Sequence, residues 1–390
     1  MKRFFLARLS MALPLLFSAH AAQADFTANE LADALIASLQ KSGGVAFTYK
    51  SAALDGSDGV VINGLTFGEA GDRLTLDEVV LSDIEEPVDG NFIIGEIAVP
   101  GSTFSPEDGA SVTIGDATVS DFQVITAPSD EYYDGFYSSA EVDGLTVSVS
   151  GQEIVSVGEF LVSISPWSPG ASIASATNIS SIVVDVNALP PGPGSQALVG
   201  MGYEEIRADL NAEGKWNTET GAFDLQDTTI SVDDIADLTL TAKIGGYTME
   251  LMESLRDMQS QMNADNQQAM GMAMFGLLQQ LEVESLSISL KDESITGRAL
   301  DFAGSQQGMN GDSMAAMLKG LLPLGLAQLG NPEFAQNAQA EIGEFIDDPD
   351  RITITAEPEA PVPFAVLAGS AMAGNPAQLL TTLNVQVEAE

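Results

Sequence analysis

The side chains of this chain best equipped for chemistry are carboxylates and thioethers. It has no cysteine, and its one histidine, His20, falls in an N-terminal segment that reads as removable. Without that imidazole and without thiols, a Ser-His-Asp triad, a cysteine nucleophile, a zinc-thiolate site and a disulfide framework are all excluded. Carboxylates occur side by side at Glu85-Glu86, Asp233-Asp234 and Asp347-Asp348, and paired carboxylates are what glycoside hydrolysis uses. Neighbours along a strand point to opposite faces, so these pairs read as solvated edges or turns. Ser38-Leu39-Gln40-Lys41 fits the S-x-x-K nucleophile pattern, but no S-D-N or K-T-G accompanies it, and a helix end is the simpler reading. Gly200-Met201-Gly202-Tyr203-Glu204-Glu205 starts like a dinucleotide loop and lacks its third glycine. Asp55-Gly56-Ser57-Asp58-Gly59 lacks the ordered oxygen ligands and terminal Glu of a calcium loop. No metal or other cofactor is expected.

Thioethers cluster in Met270-Gly271-Met272-Ala273-Met274, and closely spaced thioethers can select Cu(I) where thiols are absent. On a helix, however, Met270 and Met274 share a face while Met272 points elsewhere. The bland alternative is lining for irregular apolar space, which Met fills well. Six residues at helical spacing, Met258, Met262, Met270, Met274, Leu277 and Leu281, are the expected lining of an apolar groove.

The elements that would position them follow from periodicity. Thr27 and Glu30 form a capping box, Leu31, Leu35 and Leu39 share a stripe, and Gly43-Gly44 ends the segment, which predicts a helix. From Val45 to Ile244 the period becomes two, as in Leu145, Val147, Val149, then Phe160, Val162, Ile164, then Leu238, Leu240, Ala242. Such runs predict half-buried antiparallel strands, with Gly, Asp, Asn and Pro read as the turns between short strands. Asn63-Gly64-Leu65-Thr66-Phe67 echoes Asp143-Gly144-Leu145-Thr146-Val147, so the strands read as similar hairpins added to one elongated sheet. Pro190-Pro191-Gly192-Pro193-Gly194 reads as a loop or soft boundary. From Tyr247 the pattern turns helical, with a break near 263–266, a strand through Leu286, Ile288 and Leu290, helices over 296–308, 313–329 and 332–347, and strands over 351–356 and 383–387. The expected fold is α+β: an elongated, mostly antiparallel repetitive sheet packed by C-terminal helices, with one helix after the leader. Its parts are 1–24, a leader; 25–245, the first helix and the repetitive sheet; and 246–390, a helix-rich region.

Lys2, Arg3 and Arg8, the apolar run Leu9 to Ser18 and the small-x-small Ala22-Gln23-Ala24 compose a secretory signal peptide, so the chain is expected to be exported, to the periplasm first and the medium second. The remaining chain offers no apolar stretch that reads as a membrane span. A formal charge of −42 with cations scattered singly excludes nucleic acid as a partner. Such acidity keeps a protein dispersed, notably in saline surroundings.

Three segments carry a resemblance: Trp216-Asn217-Thr218-Glu219-Thr220-Gly221, Leu286-Ser287-Ile288-Ser289-Leu290-Lys291-Asp292, and Phe345-Ile346-Asp347-Asp348-Pro349 leading into Ile352-Thr353-Ile354. Over roughly its second half the chain is similar to a group of uncharacterised exported proteins of alphaproteobacteria, which supplies no site. The strand grammar of residues 60–245 resembles AsmA-type and TamB-type envelope proteins, without their N-terminal membrane anchor. That resemblance implies a rolled sheet offering an apolar groove to lipid. The expected role is therefore a non-enzymatic envelope protein whose partner is a lipid or another hydrophobic ligand. A scaffold that binds another envelope protein is the alternative, and a carboxylate-based hydrolase comes third.

Overall fold

The computed structural model describes residues 26–43, 46–68, 74–88, 90–105, 109–127, 133–168, 170–260 and 267–390. The leader and His20 lie outside them. Helix α1 (Ala28–Gly43) opens the description. Its first turn carries the expected capping box: the Glu30 N–H donates to Thr27 Oγ1 at 3.2 Å and the Thr27 N–H to Glu30 Oε2 at 3.5 Å.

Strands follow as β1 (Phe47–Thr48), β2 (Ser51–Asp55), β3 (Gly59–Phe67), β4 (Leu74–Val88), β5 (Asn91–Val99), β6 (Ser102–Phe104), β7 (Ala110–Ile114), β8 (Ala117–Val124), β9 (Ser139–Val142), β10 (Leu145–Val149), β11 (Gln152–Val157), β12 (Glu159–Ile164) and β13 (Ser172–Asp185). After α2 (Pro193–Gly200) come β14 (Glu205–Asn217), β15 (Phe223–Val232) and β16 (Ala236–Gly245). Helices α3 (Met249–Ser260) and α4 (Gln267–Leu278) lead to β17 (Glu282–Asp292), and α5 (Ile295–Gln306), α6 (Gly311–Ala327) and α7 (Pro332–Asp347) to β18 (Arg351–Ala356). The chain closes with β19 (Val362–Pro363), α8 (Phe364–Met372), α9 (Pro376–Thr382) and β20 (Val385–Ala389). The fold is the expected α+β, rich in strand, with one large antiparallel sheet and most helices in the C-terminal half. No described helix is long and apolar enough to cross a membrane.

Topologically the sheet is a meander. β7 and β8 follow one another across Gly115-Asp116, as β9 and β10 do across Asp143-Gly144, and the two pairs lie side by side in a single register, Ala117 opposite Val142 and Leu145 opposite Ile114. Likewise β11 and β12 run along β13 in one register, Val155 opposite Val184 and Phe160 opposite Ile179. Each long strand thus pairs with the next in sequence, through β14, β15, β16 and β17 to β18 and β20. Among the described residues, the strands at the two ends pair on one side only, β1 and β2 with β3, and β20 with β18.

This corrects the reading of Gly and Asp as turns between short strands. Gly144 has φ 94° and Gly64 φ 63°, and both stand inside a continuous ladder. They are in-strand kinks, where a left-handed residue shifts the side-chain alternation by one and re-aims the apolar side chains. The line of kinks is tight: a Cβ on Gly115 would meet the Asp143 carbonyl oxygen at 1.8 Å, and one on Gly158 would meet the Ser181 Cβ at 2.8 Å. Two smaller corrections belong at element ends. Pro193 and Gly194 start α2, because Pro at the first helical position lacks only an N–H that has no intrahelical partner. The last strand starts at Val385, because α9, which Asn375 caps at its start by accepting from the Gln378 N–H, runs to Thr382 with Leu383 as its C-cap.

Two buried clusters anchor the sheet. At the N-terminal end, Leu31, Ala32 and Leu35 of α1 pack over Val60, Ile62, Leu81, Phe92 and Ile94, all 2% exposed or less. A smaller cluster of Val186, Tyr203, Ile235 and Ala236 closes the far end of β13 to β16 and receives Leu198 of α2 and Ile295 of α5. Arg298 of α5 lies over the Tyr203 ring at 4.5 Å and fastens that corner.

Candidate aromatic pocket

Between those clusters the apolar face of the sheet is left half-exposed. One cross-strand row reads Val99, Ala117, Val142, Phe160, Ile179, Leu210, Ile230, Leu238, Leu290 and Ile352, each directly opposite the next. None of them is buried, although Val99 already packs against the cluster under α1. Toward the C-terminal strands exposure reaches 41% at Leu238 and Ile288 and 47% at Ile354. Helix α7 lies against β20 and β18, where Val387 is buried.

The alternation along β12, β13 and β14 carries the same face to one end of the sheet, where Ile164, Ile173 and Trp216 enter a pocket of about 290 Å³. Tyr133, Phe136, Trp167, Phe223, Met249 and Met252 complete its apolar wall. Two aromatic groups face into it. The Tyr133 and Phe136 rings lie 5.4 and 6.1 Å from the Trp167 ring, and Trp216 and Phe223 lie 5.5 and 6.2 Å from Tyr247. Trp167 and Trp216 are the only tryptophans of the chain.

Local chemistry explains why these groups converge. The loop bearing Tyr133 and Phe136 is pinned to β8 by Gln123, whose backbone N–H donates to the Phe136 carbonyl at 2.8 Å and whose side chain accepts from the Tyr133 N–H at 2.9 Å. Asp134 accepts from the Ile125 N–H at 3.0 Å and from Lys41 Nζ at 3.2 Å, which ties the loop to α1. On the opposite wall, the Tyr247 N–H donates to the Gly221 carbonyl at 2.8 Å, and the Trp216 indole N–H donates to the Tyr247 carbonyl. Only glycine permits that approach, for a Cβ on Gly221 would lie 2.6 Å from the Tyr247 nitrogen. Thr248 then accepts from the Leu251 N–H and starts α3, setting Met249 and Met252 over the pocket.

Polar groups here are few. Among the described residues no lysine or arginine lines the pocket, and Asp134 is the one carboxylate. The Trp167 Nε1–H is buried and has no acceptor among the described residues.

The residues expected from helical spacing fall elsewhere. Met258 and Leu281 are buried at 9% exposure, Leu277 is half-buried, and Met274 is exposed at 37%. Met262 lies outside the described residues, and Met270 is described only as a backbone position of α4. The pocket takes its methionines from the first turn of α3 instead. Its aromatic residues come from the loop over 133–137, the residues after β12, the end of β14 and the start of β15. The nearest sequence signals are the tryptophans themselves and the aromatic run Tyr132-Tyr133 to Phe136-Tyr137.

The motifs set aside by sequence have structural roles. Ser38 is 2% exposed in the interior of α1, and Lys41 reaches Asp134, so S-x-x-K presents no accessible nucleophile. Asp55 to Gly59 is the β2–β3 hairpin turn. Asp233 and Asp234 form the turn into β16, and Asp347 pairs with Lys319 at the end of α7.

A family model described as "Uncharacterized protein" matches residues 229–390, from within β15 to the end of the chain. No curated protein matches the chain.

Proposed function

We propose that this protein is a non-catalytic holder of a hydrophobic molecule in the bacterial cell envelope, reached through the signal-like residues 1–24. The observation that carries the reading is the aromatic pocket at one end of a half-exposed apolar sheet face. Ligand sites are concave, mostly apolar and furnished with few polar groups. Its volume, about 290 Å³, sits at the lower limit of such sites, roughly 300 to 1,000 Å³. That size suits one alkyl chain, with the apolar row on the adjoining strands available to a longer ligand. The thioethers of Met249 and Met252 adapt to chains of different shape. The resemblance of residues 60–245 to AsmA-type and TamB-type proteins favours the same class of partner.

Native mass spectrometry of the protein purified from the periplasm, with organic extraction of the same sample, tests this. The expected result is a one-to-one adduct that the extraction removes and that is recovered as an apolar compound. A bare protein that also binds no added alkyl compound contradicts it.

A second reading, a scaffold for another envelope protein, is favoured by the exposed Leu238, Ile288 and Ile354, which crowd adjacent strands of one face. Cross-linking in cells through that patch would then capture one dominant partner.

A further inference from the structure

Sharing no residue with the aromatic pocket, a groove of about 360 Å³ runs along the outer edge of β20, between the start of α7 and the end of α9. We infer that it binds an extended peptide as an added antiparallel strand, with a basic residue opposite Glu388 and apolar residues opposite Val387 and Val385. The ladder shows which backbone groups face the groove. Glu390 and Arg351 exchange both N–H···O bonds, at 2.9 and 3.4 Å. Bonded pairs alternate along an antiparallel ladder, so Glu388 and Gln386 also aim their backbone groups at β18, and Ala389, Val387 and Val385 aim theirs outward. The Ala389 N–H bears out this direction, for it donates to Glu341 Oε2 of α7 at 2.9 Å. Val385 and Val387 line the groove, and among the described residues β20 pairs with β18 alone.

An unpaired strand edge is a template for another extended chain. Peptide residues opposite Val387 and Val385 each exchange an N–H···O pair with β20, and such main-chain bonds carry the affinity of strand addition. Their side chains lie on the side where Val387 is buried against α7, and Phe334 of α7 and Leu380 of α9 supply the groove's apolar wall. Gln386 and Glu388 face the other way and are exposed. The charged groups lining the groove, among the described residues, are Glu333 and Glu388. A cation directly across from Glu388 is therefore favoured and a carboxylate there is not. A second copy of β20 suits the edge poorly, since it brings its own Glu388 and Glu390 to the seam in a chain of formal charge −42.

Fluorescence anisotropy of a labelled peptide containing Lys-Val-Thr-Val, titrated with the full chain, tests this. In the antiparallel register the lysine falls opposite Glu388 and the two valines opposite Val387 and Val385. Methylating the two valine amides removes the donors that face β20 and keeps the side chains, and it should weaken binding at least about tenfold. Exchanging the lysine for glutamate should weaken it about three- to tenfold. Glu388→Lys, at an exposed position, should reverse the preference between the lysine and glutamate peptides. A methylated peptide that binds equally well, an unreversed preference in Glu388→Lys, or no rise in anisotropy up to about 1 mM protein overturns the inference. So does a chain that sediments as a dimer and cross-links β20 to β20, which would make the occupant a second copy.

Discussion

Tyr49 shows how a single side chain couples the first helix to the sheet edge. Its hydroxyl donates to Asp33 Oδ1 of α1 at 2.9 Å. Burial raises the phenol above its ordinary value, and the hydrogen bond to Asp33 and the charge of that carboxylate add to the rise. The fold therefore favours the neutral phenol. Its contribution is fully present below the ordinary tyrosine value of about 10 and is lost as pH climbs through the higher value of the folded state. Thermal melts taken across that alkaline window should show a fall in midpoint, and Tyr49→Phe should flatten part of the fall. An identical pH profile for the two proteins would mean that Asp33 and Tyr49 are not coupled in the way the geometry implies. Trp167 differs in kind, since its buried Nε1–H has no acceptor among the described residues and costs the fold the desolvation of that group.

At the scale of elements, the kinks set the shape of the sheet. In the β7–β8 and β9–β10 ladder, Gly115 lies so close to Asp143 that one methyl group cannot be admitted without moving backbone. Gly115→Ala should lower stability by about 2–3 kcal/mol, read as a lower denaturant midpoint, whereas Gly276→Ala, in α4 with open space around its Cβ position, should not lower it. Equal effects would show that the kink line is not a packed feature. The same kinks explain what sequence could and could not disclose. The two-residue alternation in Leu145 to Val149 and Phe160 to Ile164 was legible because it is a property of each strand alone. That Gly144 marks a kink and not a turn was not legible, because both demand a left-handed residue, and the pairing of neighbouring strands decides between them. The Asn331 cap and Pro332 start of α7 were legible for the opposite reason, being satisfied within a few residues.

Across the whole molecule, one sheet is buried under α1 at its N-terminal end, closed at a corner by α2 and α5, and left half-exposed on its apolar face in between. The site could not be read from sequence because its parts meet only when the meander is assembled. Phe136, Trp167, Trp216, Phe223 and Met252 come from two loops, two paired strands and a helix. Helical spacing drew attention to Met258 and Leu281, and those side chains are buried. The central claim is that the aromatic pocket admits an alkyl ligand, and fluorine NMR of protein labelled with fluorotryptophan addresses it most directly. Two resonances are expected, one each for Trp167 and Trp216, and both should shift saturably on addition of decyl acetate. Met252→Glu, which places a carboxylate over the pocket, should abolish the shifts while the chain stays folded. Resonances that do not move in the unaltered protein, or that move equally in Met252→Glu, would contradict the account.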